Sequence, residues 1–359
     1  RNVTACPLAG VCRDETFDVT PHAKACMSFL LGHPDTQDLG RKFKVAFSGC
    51  RHEACWLVRM HDLGAIAVTR EENGQIRRGF ELYVGGGLGS VPHQAKLFCD
   101  FLDPEQLLPI SQAISRVYAR LGEKRNRAAA RIKFLVAKLG LEEFKRLVWE
   151  EHANLEHDPR WRDYLVDADN FEEQALHPAG DTNIEIPKAD SGEYGDWLRS
   201  NVYQQKQSGY ATVTIALPLG DITSPQMRAV ADIAQRFIKE TVRTTVEQNL
   251  VLRWVSTDDL SSLYNALKEG DLASPVAGTI VDITACPGTD TCKLGIASSR
   301  GLARELREQL LAKSYDLDQV IRGLRIKVSG CFNSCGQHHV ADIGFYGVSR
   351  KRNKITVPH

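Results

Sequence analysis

Ten cysteines stand at positions 6, 12, 26, 50, 55, 99, 286, 292, 331 and 335, and eight of them fall into four close pairs. Thiols at such spacing close disulfides, run redox exchange or hold a soft metal. The opening residues lack a signal-like basic and apolar run, so metal or redox chemistry is expected rather than a disulfide framework. The strongest set is Cys286-x5-Cys292 with Cys331-x3-Cys335. Structural zinc takes close pairs about two to four residues apart, which the x5 gap fits poorly. A [4Fe–4S] cluster needs four thiolates on a larger cube and accepts wider loops, and Pro287 beside Cys286 is in keeping with one. Iron–sulfur is the favoured reading, with zinc and packed thiols as alternatives. His338 and His339 after the last cysteine are expected beside the centre or at the surface rather than as ligands.

Basic residues form a second group. In RKFKVAFSG (41–49), strand alternation puts Lys42, Lys44, Ala46 and Ser48 on one face and Phe43, Val45 and Phe47 on the other. Two lysines on one strand face repel unless they are solvated or face an anion, and spacing alone favours a solvated edge. Arg127 and Arg131 read as an i,i+4 pair on a helix, with Lys133 just beyond. The run GGGLG (85–89) follows a strand, but Ser90 breaks the dinucleotide pattern. Close backbone approach to a large flat cofactor explains the missing side chains better.

The elements that carry these residues repeat. RNVTACPLAGVCRD (1–14) returns as VDITACPGTDTCKL (281–294), and FKVAFSGCRHEAC (43–55) as LRIKVSGCFNSC (324–335). Matched types at matched offsets indicate an internal duplication and two halves of one fold. Between them, 104–152 is strongly helical, with breaks at Gly122 and Gly140. Segment 153–195 is acidic, holds Pro159, Pro178 and Pro187, and reads as a linker. A strand at 210–220, a helix near 225–240 and a strand at 242–255 make a compact β-α-β unit. The class is mixed α and β. With 45 basic against 45 acidic residues in 359, net charge gives no argument for nucleic acid or an anionic membrane as partner. No apolar run approaches the roughly 18 residues of a membrane span, so a soluble, cytoplasmic protein is expected.

Taken together, RNVTACPLAG, RKFK (41–44), LYVGGGLG (82–89), ARIKFLVAKLG (130–140), the Gln248-Asn249 pair, C-x5-C and GCFNSCG resemble the sirohaem-dependent nitrite and sulfite reductases over nearly the whole chain. The resemblance implies an α+β fold of two pseudo-symmetric reductase repeats (1–152 and 259–359) with a ferredoxin-like half-domain (196–258) between them. It implies sirohaem and one [4Fe–4S] cluster held by Cys286, Cys292, Cys331 and Cys335, with Cys335 also on the sirohaem iron. Lys42, Lys44 and Arg1 would hold a small anion, sulfite or nitrite, and possession of both lysines looks like the sulfite-reducing type. Arg41, Arg127, Arg131 and Lys133 would meet sirohaem carboxylates, with Gly85, Gly86, Gly87, Gln248, Asn249 and Asn333 also at the cofactor. The expected reaction is six-electron reduction of sulfite to sulfide, or of nitrite to ammonia, fed by a ferredoxin or a flavoprotein. A cluster-only electron carrier is the alternative from another class. Cys6, Cys12, Cys50 and Cys55 leave a second cluster open, although family members keep one in one half. Family members also extend beyond both ends of this chain, so a longer protein is expected.

Overall fold

The computed structural model describes residues 2–51, 57–169, 171–180, 192–239, 242–313, 319–352 and 355–359, so Arg1 and Cys55 lie outside the described residues. Two compact units divide the chain, Arg1–Glu172 and Glu173–His359.

In the first unit, β1 (Val3–Ala5), α1 (Thr20–Leu30), β2 (Val45–Ser48), α2 (Leu57–Met60), β3 (Leu63–Glu72), β4 (Gln75–Val84) and β5 (Lys96–Leu102) lead to four helices: α3 (Leu107–Leu121), α4 (Ile132–Leu139), α5 (Leu141–Ala153) and α6 (Arg160–Asp169). The strands form one sheet in the order β1-β2-β3-β4-β5, parallel through β3 and antiparallel after it. The switch comes at a two-residue hairpin, Asn73-Gly74, both with positive φ as the twist of a tight hairpin requires.

Strand β2 is buried along its whole length rather than on alternate residues. One face sends Val45 and Phe47 into the main core with Leu63, Phe80 and Tyr118. The other packs Ala46 with Val58, Ile66, Tyr83 and Ala95. Parallel strands are normally covered on both faces, so alternation fails here. Burying a side chain such as Phe47 stabilises by roughly 2–3 kcal/mol. Lys42 and Lys44 precede β2 instead of riding on it, Lys42 exposed and Lys44 half-buried.

Two further expectations are corrected. Arg127 sits in a turn and Arg131 is the extended residue before α4, so they share no helix. The carbonyls a longer helix would use internally are taken by side chains: Arg127 O accepts from Arg41 Nη1 at 3.0 Å and Ala130 O from the Tyr118 hydroxyl at 2.5 Å. The segment expected as a linker (153–195) carries the helix α6, and its residues 170 and 181–191 lie outside the described residues. Helix α6 lays Trp161, Tyr164 and Leu165 against the first core, packed on α1.

Glu173, farther along that segment, belongs to the second unit. Glu173 binds Arg243 at 2.5 Å, Arg253 at 2.7 Å and the Trp254 indole at 3.0 Å, fastening the chain to a small sheet. That subdomain runs α7 (Gly192–Asn201), β6 (Val202–Gln204), β7 (Tyr210–Ile215), α8 (Ser224–Phe237), β8 (Val242–Thr244), β9 (Leu250–Ser256) and α9 (Leu260–Glu269). Its antiparallel sheet is ordered β6-β7-β9-β8 around Trp197, Val213, Ile233, Phe237, Leu252 and Leu263. Helix α8 starts on a Thr223/Gln226 capping box with Pro225 in its first turn, worth about 1 kcal/mol. The single strand expected over 242–255 is a hairpin, because Gln248 takes φ +72° and Thr245 Oγ1 accepts from the Glu247 and Asn249 amides.

The chain then forms β10 (Thr284–Ala285), α10 (Ser299–Leu311), α11 (Gln319–Arg322), β11 (Ile326–Ser329) and β12 (Ile343–Tyr346), a parallel sheet in the order β10-β11-β12. The hairpin β13 (Ser349–Arg352) and β14 (Ile355–Pro358) follows.

The duplication read from the sequence extends to individual hydrogen bonds. Ala5 pairs with Phe47 and Ala285 with Val328, and both Cys6 N and Cys286 N then donate across the sheet at 3.1 Å, to Phe47 O and Val328 O. Cys12 N returns to Leu8 O, and Cys292 N to the equivalent Gly288 O. Thr16 N reaches Gly49 O at 2.7 Å, and Ile296 N reaches Gly330 O at 2.8 Å. Among the described residues, no helix is long and apolar enough to cross a membrane.

Candidate functional site

In the second unit, parallel pairing of β10 with β11 brings two cysteine loops off adjacent strand ends. Cys286 follows β10 directly, and Cys331 comes two residues after β11. Gly288 and Gly330 press the loops together: a Cβ on Gly330 would lie 2.6 Å from Gly288 Cα. The Gly330 amide donates to Cys286 Sγ at 3.1 Å, and Asn333 Nδ2 donates to Cys331 Sγ at 3.4 Å. Ser299, buried at the start of α10, gives its hydroxyl to Cys286 O at 2.7 Å. Cys331 is buried, Cys286 half-buried, Cys292 and Cys335 exposed, and none is in a disulfide. No group of three or more His, Cys, Asp or Glu among the described residues already stands as a closed metal site. The donor set nonetheless suits an iron–sulfur centre: four soft thiols on two clamped loops, with N–H groups aimed at two sulfurs, the kind of contact that tunes a cluster. His338 is a packing residue, its ring stacked on Tyr346 at 4.8 Å and 15°, and burial pushes its pKa down to about 4.

Gln248 and Asn249 reach this region through the protein backbone. Gln248 Nε2 donates to Ala285 O and Ala285 N donates to Gln248 Oε1, both at 3.0 Å, so one side chain pairs like a strand with the residue before Cys286. Asn249 Oδ1 accepts from Leu217 N at 2.9 Å, and its Nδ2 donates to Asp282 Oδ2 at 2.7 Å. These amides hold the loop that carries the first cysteine.

In the first unit, basic residues gather around one buried carboxylate. Asp62, with its side chain 0% exposed, accepts Arg131 Nη2 at 2.7 Å and Lys44 N at 3.0 Å on Oδ2, and Arg131 Nε at 3.2 Å on Oδ1. Burial pushes the Asp62 pKa up, while Arg131 and the Lys44 amide pull against it. Arg131 also reaches Gly86 O, at 3.4 Å. Lys133, only 3% exposed, donates to the carbonyls of Gly87, Leu88 and Val91, and burial lowers its pKa to about 8. The glycines of the run serve this packing. A Cβ on Gly86 would lie 2.5 Å from His61 O, one on Gly87 2.8 Å from the Arg131 guanidinium, and Gly85 takes φ +82°. Protein atoms fill the Cβ direction at these three positions. Arg127 and Lys42 remain exposed cations.

Sequence reasoning passed over Asp62. The signal was present, because Asp62-Leu63-Gly64 at the start of β3 is repeated as Asp342-Ile343-Gly344 at the start of β12. The cysteines of the first half stand at the register of the second: Cys6 matches Cys286, Cys12 matches Cys292 and Cys50 matches Cys331.

The chain matches the family described as nitrite and sulphite reductase 4Fe-4S domain over residues 1–156 and 277–357, and the nitrite/sulfite reductase ferredoxin-like half domain over 203–270. It is 28% identical to "Sulfite reductase [ferredoxin] 1" of Mycolicibacterium paratuberculosis over 351 residues, 97% of this chain and 57% of that one. It is 28% identical to the assimilatory ferredoxin-dependent nitrite reductase of Haloferax mediterranei over 360 residues, 98% of this chain and 57% of that one. The solved Mycobacterium tuberculosis NirA protein superposes with a TM-score of 0.77 at 26% identity, covering 99% of this chain and 60% of that one. The chain thus spans little more than half the length of the curated relatives it matches.

Proposed function

The chain belongs to the nitrite and sulphite reductase family, and on that premise we propose that it carries the redox centre of a reductase taking sulfite to sulfide by six electrons. Cys286, Cys292, Cys331 and Cys335 hold the [4Fe–4S] cluster in this reading, and Cys335 also ligates the sirohaem iron. When bound, the two groups supply electron storage next to an iron that the anion can reach.

The remaining work falls to side chains. Lys44 and Lys42, with Arg1, draw in the anion and hold donors against its oxygens, where charge-assisted hydrogen bonds are strongest. Arg41 and Arg127 offer guanidinium groups to sirohaem carboxylates. Arg131, Lys133 and Gly85–Gly87 act one step back, by shaping the loop beneath. Gln248, Asn249 and Asn333 act on the cysteine loops themselves. The observation that carries the reading is the pair of N–H···S contacts on two loops locked together at Gly288 and Gly330. A ferredoxin is the proposed electron donor, in line with the names of the relatives.

Nitrite reduction to ammonia is the second reading, favoured by equal identity to a sulfite and a nitrite reductase. Sulfite carries more negative charge than nitrite near neutral pH, so a pocket rich in cations favours sulfite. Lys44→Asn in the full-length protein, assayed with an artificial electron donor, should lower sulfite turnover by on the order of 100-fold and nitrite turnover by less. Equal losses for both anions, or none, would favour nitrite.

A further inference from the structure

We propose that Asp62 is a positioning residue for anion binding: its carboxylate fixes the backbone of Lys44 and, through Arg131, the glycine loop, as one rigid unit. The inference rests on the reading of Lys44 as an anion-binding residue.

The duplication separates what is inherited from what is added. In the second half, Asp342 Oδ2 accepts Arg325 N at 2.7 Å, and Ile343 N donates to Arg325 O at 3.1 Å. In the first half, Asp62 Oδ2 accepts Lys44 N at 3.0 Å, and Leu63 N donates to Lys44 O at 3.0 Å. Lys44 and Arg325 occupy matched places, each directly before the second strand of its half. Gly64 and Gly344 match as well, since a Cβ on either would lie 2.1 Å from a carbonyl oxygen, of Val58 or of His338. This aspartate bond is therefore part of the repeated fold.

The partners beyond it differ. Asp342 is 36% exposed and, among the described residues, its ion pair is with the guanidinium of the same Arg325 whose amide it holds. Asp62 is fully buried and takes a second, distant cation, Arg131, through two nitrogens. Its own backbone carbonyl accepts Gly85 N at 3.0 Å, and Arg131 continues to Gly86 O. Burying a carboxylate costs several kcal/mol, and a fold that needed only the strand connection could use the exposed form found in the second half. The extra partners tie the residue proposed to meet the anion to the glycine loop. Orientation held in this way matters steeply, because a misplacement of about 1 Å can cost on the order of 100-fold in rate.

The sign of the effect distinguishes positioning from simple electrostatics. Loss of one negative charge beside the cations should by itself tighten anion binding. An amide at position 62 keeps one acceptor oxygen, which in the place of Oδ2 still serves the Lys44 amide and Arg131 Nη2, but its NH2 then faces Arg131 Nε donor to donor, so the two-nitrogen hold on Arg131 is lost. The test is equilibrium sulfite affinity, read from the shift of the haem absorption bands in full-length holoprotein, with iron content checked for each variant. Asp62→Asn should weaken sulfite binding by about 10-fold or more, whereas Asp342→Asn should leave it unchanged. Arg131→Gln should weaken it too, and the double variant should be no worse than the poorer single one, because the two groups act as a unit. Unchanged or tighter binding in Asp62→Asn with normal iron content overturns the proposal. If Asp62→Asn fails to retain its cofactors, Arg131→Gln decides, and normal affinity there also overturns it. Lys44→Asn runs alongside: if it too leaves affinity unchanged, the fault lies with the anion-site reading, whereas a loss confined to Lys44→Asn rejects the role of Asp62 alone.

Discussion

At the scale of single residues, the thiolates and the buried carboxylates make the sharpest claims. One sulfur that serves two metals couples their fates, so Cys335→Ser should disturb the haem spectrum and the cluster together, while Cys292→Ser should act first on the cluster. An unchanged haem band and midpoint potential in Cys335→Ser would refute the bridging assignment. Asp282 offers a test that needs no turnover. Burial raises its pKa to about 6 from the model-peptide 3.8, against the pull of the Gly278 amide and Asn249. The native state therefore holds this proton more tightly than the unfolded chain does. Its stabilising contribution is complete below about pH 4 and is lost as pH rises through about 6. Asp282→Asn should remove that loss, raise stability near pH 7 by on the order of 3 kcal/mol and flatten the slope between pH 4 and 6 in urea unfolding. An unchanged slope would contradict the assignment. The cysteines were legible in the sequence because ligand chemistry restricts residue type and spacing. Asp62 was not singled out, since its partners Arg131 and the Lys44 amide are brought to it only by the fold.

At the scale of elements, periodicity indicated a helical stretch over 104–152 and strands over 41–49 and 210–220, and the fold places helices at Leu107–Leu121 and Leu141–Ala153 and strands at Val45–Ser48 and Tyr210–Ile215, with tertiary hydrogen bonds setting the borders. Helix α4 begins at Ile132 because Tyr118 and Arg41 take the carbonyls before it. The hairpin at 242–256 turns where Gln248 can pair with Ala285, a partner 37 residues away that no local pattern shows. The lysines expected on a strand face precede the strand, because β2 is covered on both sides. This element-level account makes Gln248 the brace of the first cysteine loop. Gln248→Ala removes two hydrogen bonds to Ala285, each worth about 1 kcal/mol. The urea midpoint should fall accordingly, and iron retained through gel filtration should drop while the far-ultraviolet circular dichroism stays native. Full iron retention with an unshifted midpoint would rule out the brace.

At the scale of the whole molecule, one structural unit occurs twice. Both copies keep the parallel register, the return of the cysteine loop and the aspartate before the third strand. The second has N–H donors on two of its cysteine sulfurs, and the first pairs its buried aspartate with Arg131. The central claim is that only the second copy holds a cluster and that this cluster is joined to a sirohaem. The most direct measurement is iron, acid-labile sulfide and zinc per chain, with an absorption spectrum, on purified full-length protein. The account predicts sirohaem bands and about five irons, four in the cluster and one in the macrocycle. About nine irons would place a second cluster on Cys6, Cys12, Cys50 and Cys55 and contradict the division of labour between the copies, and a colourless protein with stoichiometric zinc would contradict the redox centre itself.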